Sequence, residues 1–343
     1  MLVACLPYSV HCIWWGIGRS VSLEPRSVCR RASMLRGSTA ATICHGDKKL
    51  VEAILIGVRE GLKECQYQLR HFRWNCTTKW RSIGKMLLRD NVETAFVQAI
   101  TSAAVTHVVS RACSTGKLKT CTCAPHQETQ HFIKQMVPGP WDWAGCSDDI
   151  KFGYEISMKF MDGYFANQIT DFRSSILRHN NEVGRSTVEK GANIKCKCHG
   201  VSASCEMKTC WRSVSYFRET SWKLRQKMKY AELVTPANDG SNFLWSATNK
   251  KSWHPSIPET QLVYSEKSPD FCRRNRKLGV FGTRGRECNT TVGSPGNCDY
   301  LCCNRGHEEQ RYLVQQNCQC KFRWCCEVAC KKCWYNITTA TCL

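Results

Sequence analysis

Four cysteines crowd into the fifteen residues Cys196-Lys-Cys-His-Gly-Val-Ser-Ala-Ser-Cys205-Glu-Met-Lys-Thr-Cys210, around one loop of small, hydroxyl-bearing residues. On an extended strand, residues two apart face the same way. Cys196 and Cys198 can therefore both meet a returning strand, on which Cys205 and Cys210 are the nearest partners. Nested pairing of Cys198 with Cys205 and of Cys196 with Cys210 gives residue-number sums of 403 and 406. The strands are thus antiparallel but irregular, with the apex between Val201 and Ser202. The loop is expected to be held out as a stapled finger with a serine at its tip.

The same residue type sets the compartment. Twenty-six cysteines in 343 residues point to an oxidising environment and a disulfide framework. Zinc sites would use ligand pairs two to four residues apart in separable modules, whereas Cys302-Cys303 and Cys325-Cys326 are adjacent and suit crosslinks better. The net charge of +21 implies an anionic partner in the matrix or at a membrane surface. Basic residues cluster from Lys208 to Lys229 and from Arg273 to Arg286, either as a solvated face or as a contact for heparan sulfate. No nucleic-acid-binding motif accompanies them, so no nucleic acid is expected. Residues 1–18 carry no Lys or Arg, which makes 1–28 a leader or an incomplete signal region. The longest uncharged helical stretch, Thr94 to Ser110, contains Gln98, Thr101, Ser102, Thr106 and His107. No transmembrane helix is expected, and any membrane attachment would come from added lipid.

Leu50, Ile54, Val58, Leu62, Cys65 and Leu69 recur at helical steps, predicting an amphipathic helix over 49–70 that closes through Cys65 to Cys76. A second helix starts near Asp90, where Asp-x-x-Glu93 resembles a capping box, and runs toward Cys113 with small residues on most faces as the central buried helix. Further helices are expected over 148–165, 167–190 and 216–234. Residues 237–259 read as a linker between a helical N-terminal domain, 29–236, and a cysteine-rich C-terminal domain, 260–343. The C-terminal domain holds twelve cysteines from Cys272 to Cys342; crosslinks replace much of its core, and short strands and hairpins are expected. Pairing Cys320 with Cys330 and Cys318 with Cys333 gives sums of 650 and 651, nearly constant as an antiparallel ladder requires. Cys325-Cys326 then lies at the tip of a second finger flanked by Phe322, Trp324 and Val328, apolar groups that call for a covering partner. The fold class is α+β and disulfide-rich: a mostly helical N-terminal domain with a stapled hairpin, and a small cystine-rich β-hairpin domain. One finger per domain implies a pincer.

The first finger, Cys-Lys-Cys-His-Gly-Val-Ser-Ala-Ser-Cys, resembles the signature of the Wnt family of secreted signalling proteins. The likeness extends from about Cys29 to Leu343 through Glu-Cys-Gln at 64–66, Arg-Trp-Asn-Cys-Thr at 73–77, Gly-Cys-Ser-Asp at 145–148 and His-Asn-Asn-Glu-Val-Gly-Arg at 179–185. It continues through Ser-Pro-Asp-Phe-Cys ending at 272, Phe-Gly-Thr-Arg-Gly-Arg at 281–286 and Cys-Cys-Asn-Arg-Gly-His at 302–307. The resemblance implies bridges Cys65–Cys76, Cys113–Cys121, Cys123–Cys146, Cys196–Cys210 and Cys198–Cys205 in the first domain. In the second it implies Cys272–Cys303, Cys288–Cys298, Cys302–Cys342, Cys318–Cys333, Cys320–Cys330 and Cys325–Cys326. Cys29 and Cys44 have no assigned partner, and Cys5 and Cys12 fall in the leader.

The resemblance further implies a monounsaturated C16 acyl chain on Ser202, added by the acyltransferase Porcupine and removed by the deacylase Notum, with no other cofactor. It implies carriage out of the cell by Wntless and binding of Frizzled receptors and an LRP-type co-receptor in the extracellular space and matrix. Lys197, Val201 and Ser202 on one finger and Phe322, Trp324, Cys325, Cys326 and Val328 on the other are the expected receptor contacts, and Asn75, Asn289 and Asn336 head glycosylation sequons. Two departures stand out: Ala203 replaces a glycine that tolerates positive φ, and Arg323 replaces a histidine. Two rival readings remain. Gly200-Val-Ser202-Ala-Ser204 approaches the nucleophile elbow of serine hydrolases, although its final glycine is absent, and a matrix protein could use its basic faces without lipid.

Overall fold

A computed structural model describes residues 23–33, 38–77, 82–125, 143–163, 172–236, 244–246 and 260–343. The expected leader, with Cys5 and Cys12, and most of the expected linker lie outside them. The architecture is α+β and disulfide-rich, in two compact units: one runs to Gln68 and resumes from Cys76 to Ser268, while the other combines Leu69–Asn75 with Pro269–Leu343.

In the first unit, α1 (Pro25–Ser33) and α2 (Thr39–Gly46) precede α3 (Lys48–Gln68), and Cys29–Cys44 joins the first two helices. The periodic apolar face made α3 legible, and its start is fixed by Asp47, whose Oδ1 accepts from the backbone N–H groups of Lys49 at 2.8 Å and Leu50 at 3.3 Å. After the short α4 (Ser82–Met86) comes α5 (Val92–Ser114). Its cap is Asn91, which accepts from the Thr94 N–H at 2.9 Å; the expected box from Asp90 to Glu93 does not form. The Glu93 carboxylate instead accepts from Ser268 Oγ at 2.6 Å, and Asp90 pairs with Arg173 at 3.1 Å.

By length and composition α5 could cross a membrane, but 18 of its 23 residues are buried against α3, α6 (Ile150–Met161) and α7 (Phe172–Lys190). Its neighbours approach through glycines. A Cβ added at Gly57 or Gly61 of α3, Gly153 of α6 or Gly184 of α7 would come within 3.0 Å of the α5 backbone. Small side chains on several faces, which give α5 little amphipathic character, are what allow three helices to close on it.

The motif at 179–185 supplies struts on α7. Asn180 Nδ2 donates to Val263 O at 3.0 Å and to Gln98 Oε1 at 2.9 Å, while Val263 N donates back to Asn180 Oδ1 at 3.0 Å. Arg185, 2% exposed, pairs with Asp162 at 2.7 Å and Glu182 at 3.1 Å, and Asn181 Nδ2 donates to Asp162 Oδ1 at 2.7 Å. The buried guanidinium is therefore neutralised and oriented, as burial of a charge requires.

Beyond the first finger and α8 (Phe217–Lys229), β4 (Glu232–Pro236) pairs antiparallel with β5 (Leu244–Ser246) and parallel with β6 (Val263–Tyr264). The composition break at 237–259 therefore does not coincide with the division of the chain. The chain returns to the first unit, burying Val234 and Val263 with Ile176, and leaves it after Ser268.

The second unit contains β7 (Glu287–Cys288), the short α9 (Cys298–Leu301), β8 (His307–Arg323) and β9 (Glu327–Cys342), with strand order β7-β9-β8. Strands of 17 and 16 residues replace the short strands expected. Bridges at several levels along the ribbon supply constraint that side-chain packing does not. One buried cluster is Cys298, Leu301, Cys302, Ala340 and Cys342. Arg286 holds the segment 69–75, donating to the carbonyls of Phe72 at 2.8 Å, Arg73 at 2.7 Å and Arg70 at 2.9 Å.

Candidate functional site: two stapled hairpin tips

The first finger is built on β2 (Asn193–Cys198) and β3 (Lys208–Ser213), antiparallel with Cys196 facing Cys210 and Lys197 facing Thr209. Every registered pair sums to 406, so Cys196–Cys210 is an in-register bridge with Cα atoms 4.1 Å apart. The lower sum of Cys198–Cys205, Cα atoms 4.6 Å apart, means that this bridge runs from the last rung, Cys198↔Lys208, to a residue beyond the ladder and closes the loop. The irregularity in the cysteine arithmetic marks the end of the sheet.

Inside the loop His199 N donates to Met207 O at 2.8 Å, Gly200 N to Ser204 O at 2.9 Å and Ser204 N to Val201 O at 3.1 Å. These bonds wind Val201–Ala203 into one 3₁₀ turn, with Ser202 in the left-handed region at φ 55°, ψ 34°. A non-glycine residue there is uncommon and strained. The strain falls on Ser202, so Ala203 is not the residue that must tolerate positive φ. The indispensable glycine is Gly200, since an added Cβ would collide with Ser204. Val201 is 90% exposed, and Ser202 and Lys197 are exposed with it. His199 Nε2 shares a hydrogen bond with Thr209 Oγ1 at 2.7 Å. A strand precedes and follows this loop, unlike the strand-to-helix setting of a hydrolase elbow.

The finger is anchored by residues whose role the sequence did not disclose. β1 (Trp143–Ala144) pairs parallel with β3, and the Gly-Cys-Ser-Asp motif continues the strap. Gly145 N donates to Cys210 O, and Asp148 N donates to Arg212 O, both at 2.9 Å. Asp148 Oδ2 accepts from Val214 N at 2.9 Å and from Ser213 Oγ at 3.0 Å. At the base, the Lys195 ammonium lies 5.2 Å above the Tyr216 ring. Buried His107 contacts the Ser215 carbonyl at 3.0 Å. Its pKa is lowered chiefly by burial and further by Arg111, against the opposing effects of the Ser215 hydrogen bond and Asp148.

In the second finger β8 and β9 keep a register sum of 649 up to Cys318↔Lys331 and 650 from Lys321↔Ala329 onward. Gln319, at φ 46°, lies in the bulge that makes the step. Cys320–Cys330, Cα atoms 4.0 Å apart, is in register with the tip; Cys318–Cys333, at 5.8 Å, crosses diagonally. Phe322 faces Val328 across the ladder, both exposed, and Trp324 at the turn is 94% exposed.

The expected Cys325–Cys326 bridge is corrected: both thiols are free and exposed, with Sγ atoms 3.9 Å apart. That separation is nearly twice the ~2.05 Å of an S–S bond. Both residues instead take left-handed conformations, φ 72° and 81°, and form the turn.

The structure also pairs Cys65–Cys76, Cys113–Cys121 and Cys123–Cys146 in the first unit and Cys272–Cys303, Cys288–Cys298 and Cys302–Cys342 in the second. Of the sequon asparagines, Asn75 is partly buried and Asn289 and Asn336 are exposed. The basic clusters are not wholly solvated. Arg218 pairs with Glu64 at 2.8 Å and stacks 3.4 Å above the Tyr67 ring. Lys227 donates to Thr260 O at 2.6 Å, its pKa lowered by burial and then by Lys190.

Residues 33–343 match the model of the wnt family. The chain is 38% identical to mouse Protein Wnt-6 over 358 residues, covering 100% of this chain and 97% of that protein. It is 38% identical to human Protein Wnt-2b over 340 residues, covering 98% and 84% respectively. Among solved structures it is similar to a chain of human WLS in complex with WNT8A, with a TM-score of 0.61, 32% identity and coverage of 87% of this chain and 95% of that one. A doubly stapled serine loop, a cystine-rich terminal ribbon and a family match over nearly the whole length agree: this chain belongs to the Wnt family.

Proposed function

We propose that this chain is a secreted Wnt ligand that carries a monounsaturated C16 acyl chain on Ser202 and signals by binding Frizzled receptors and an LRP-type co-receptor. One observation carries the reading: in a Wnt-family chain, Ser202 occupies the strained, exposed apex of a loop closed by its own disulfide, next to the 90% exposed Val201. The hydroxyl is accessible to an acyltransferase of the Porcupine type, and the bridges keep the attached lipid away from the body of its own unit. Burial of such a chain in an apolar receptor groove contributes about 0.8 kcal/mol per methylene. Lys197 and Val201 border the lipid, while Phe322, Trp324, Cys325, Cys326 and Val328 form a protein-only apolar contact of the aromatic kind that dominates interfaces.

A solved relative bound to WLS supports Wntless as the carrier of the acylated chain. Notum would end the signal by removing the lipid, and heparan sulfate would meet the basic faces in the matrix. The test is mass spectrometry of the Ser202 peptide from protein secreted with and without Porcupine. A C16:1 increment that depends on the enzyme is the expected result; unmodified Ser202 on efficiently secreted, signalling protein would overturn the reading.

A further inference from the structure

We propose that a groove in the second unit is a common seat for two N-linked glycans, rooted at Asn75 and Asn289, each shielding the other. The inference rests on reading this chain as secreted and these two sequons as modified. Asn75-Cys-Thr and Asn289-Thr-Thr are far apart in sequence, yet both asparagines line one groove of ≈ 590 Å³. No alternation or spacing in the chain announces that convergence. It arises because the segment 69–75 belongs to the second unit, clamped by the three hydrogen bonds from Arg286.

The groove suits a sugar. Arg70, His71 and Arg286 line it, offering donors to hydroxyl and acetamido oxygens. Gly296, at φ 73°, leaves the room into which His71 packs; a Cβ there would lie 2.8 Å from the imidazole Nδ1. Both roots are fixed. Asn75 precedes Cys76, which is bridged to Cys65, and Asn289 follows Cys288, which is bridged to Cys298. Asn289 is further set by an Asx turn, its Oδ1 accepting from Thr291 N at 2.9 Å. Glycans attached to two immobile points on one groove cannot swing apart at their bases, and each is a bulky, solvated group. Attachment at either site forms a bond from Asn Nδ2 to C1 of the first sugar of a lipid-linked oligosaccharide diphosphate. The C1–O bond to the diphosphate breaks, the diphosphate leaves with the electron pair, and the amide releases one proton.

The full chain would be secreted from cells and the occupancy of Asn75 and Asn289 read by glycopeptide mass spectrometry. Native digestion with a peptide-N-glycosidase would then be followed over time for wild type, N75Q, N289Q and T291A. T291A removes the second sequon while keeping Asn289 and its backbone bond, so it reports even where N289Q impairs secretion. Expected is occupancy at both sites, slow native release from each, and several-fold faster release at one site once the other lacks its glycan. Occupied sites whose release rates are the same in wild type and in the variants would overturn the shared seat and leave the modification reading intact. An unmodified Asn75 or Asn289 on secreted protein would overturn both.

Discussion

Asn180 and Val263 exchange two hydrogen bonds of 3.0 Å each, the side-chain amide of one mimicking a strand against the backbone of the other. Asn180 has no exposed surface, so neither partner has water as a substitute. Asn180→Ala orphans a buried N–H and a buried C=O and should destabilise the first unit by on the order of 3 kcal/mol. A thermal unfolding midpoint and secretion level equal to wild type would refute this.

Gly184→Ala probes the approach of α7 to α5. The added methyl has no space before the Ala99 carbonyl, and backbone atoms cannot yield as a flexible side chain would. A loss of about 1–3 kcal/mol or more is expected, read as lower secreted yield and an earlier melting transition. The same substitution at Gly285, where a Cβ meets nothing but φ is 73°, would isolate the cost of conformation from that of crowding.

His107 predicts a pH dependence. Its folded pKa lies below the ordinary 6.5 because burial disfavours the imidazolium. The unfolded chain therefore binds more protons as the pH drops. Stability from this group is fully present above 6.5 and is lost as the pH falls from there through the lower, folded value. Melting curves between neutral and mildly acidic pH should show that loss, and His107→Gln should flatten it; an unchanged slope would exclude the assignment.

At the first fingertip, Ser202→Ala should abolish reporter signalling while leaving the fold intact, and Arg323→Ala at the second should cost far less. Because the left-handed residue is Ser202 and not its neighbour, Ala203→Gly should leave acylation and signalling unchanged. Gly200→Ala should damage both. Acyl-peptide mass spectrometry beside a reporter assay distinguishes all four.

Cys325 and Cys326 should each take up an alkylating reagent without prior reduction. Two adducts on the peptide that carries them is the expected result. No adduct before reduction, with two after it, would show that the turn closes on itself.

Much of this was legible because the signals were local. The 3.6-residue recurrence from Leu50 to Leu69 specified α3, and cysteine spacing, with the pairing that the family resemblance implies, located both fingers and the nesting of their staples. What escaped depends on distant chain. No pattern near Trp143 announces a parallel pairing with β3, and Asp90 and Asn91 are equally good caps until tertiary contacts recruit Asp90 to Arg173. The division after Ser268 was hidden because β6 is two residues long and its partners, β4 and Asn180, lie far from it in sequence. At Cys325-Cys326 the family resemblance implied a bond, but both residues take left-handed conformations and form the turn.

Three of the five residues in one buried cluster of the second unit are half-cystines, Cys298, Cys302 and Cys342. Oil and mortar are the same atoms there. A reductant that spares the helical unit, whose interior is packed with aliphatic side chains, would strip this cluster of both its adhesion and its crosslinks at once. That cluster is thus a product of oxidation: with its thiols unpaired, only Leu301 and Ala340 remain of it as ordinary apolar packing.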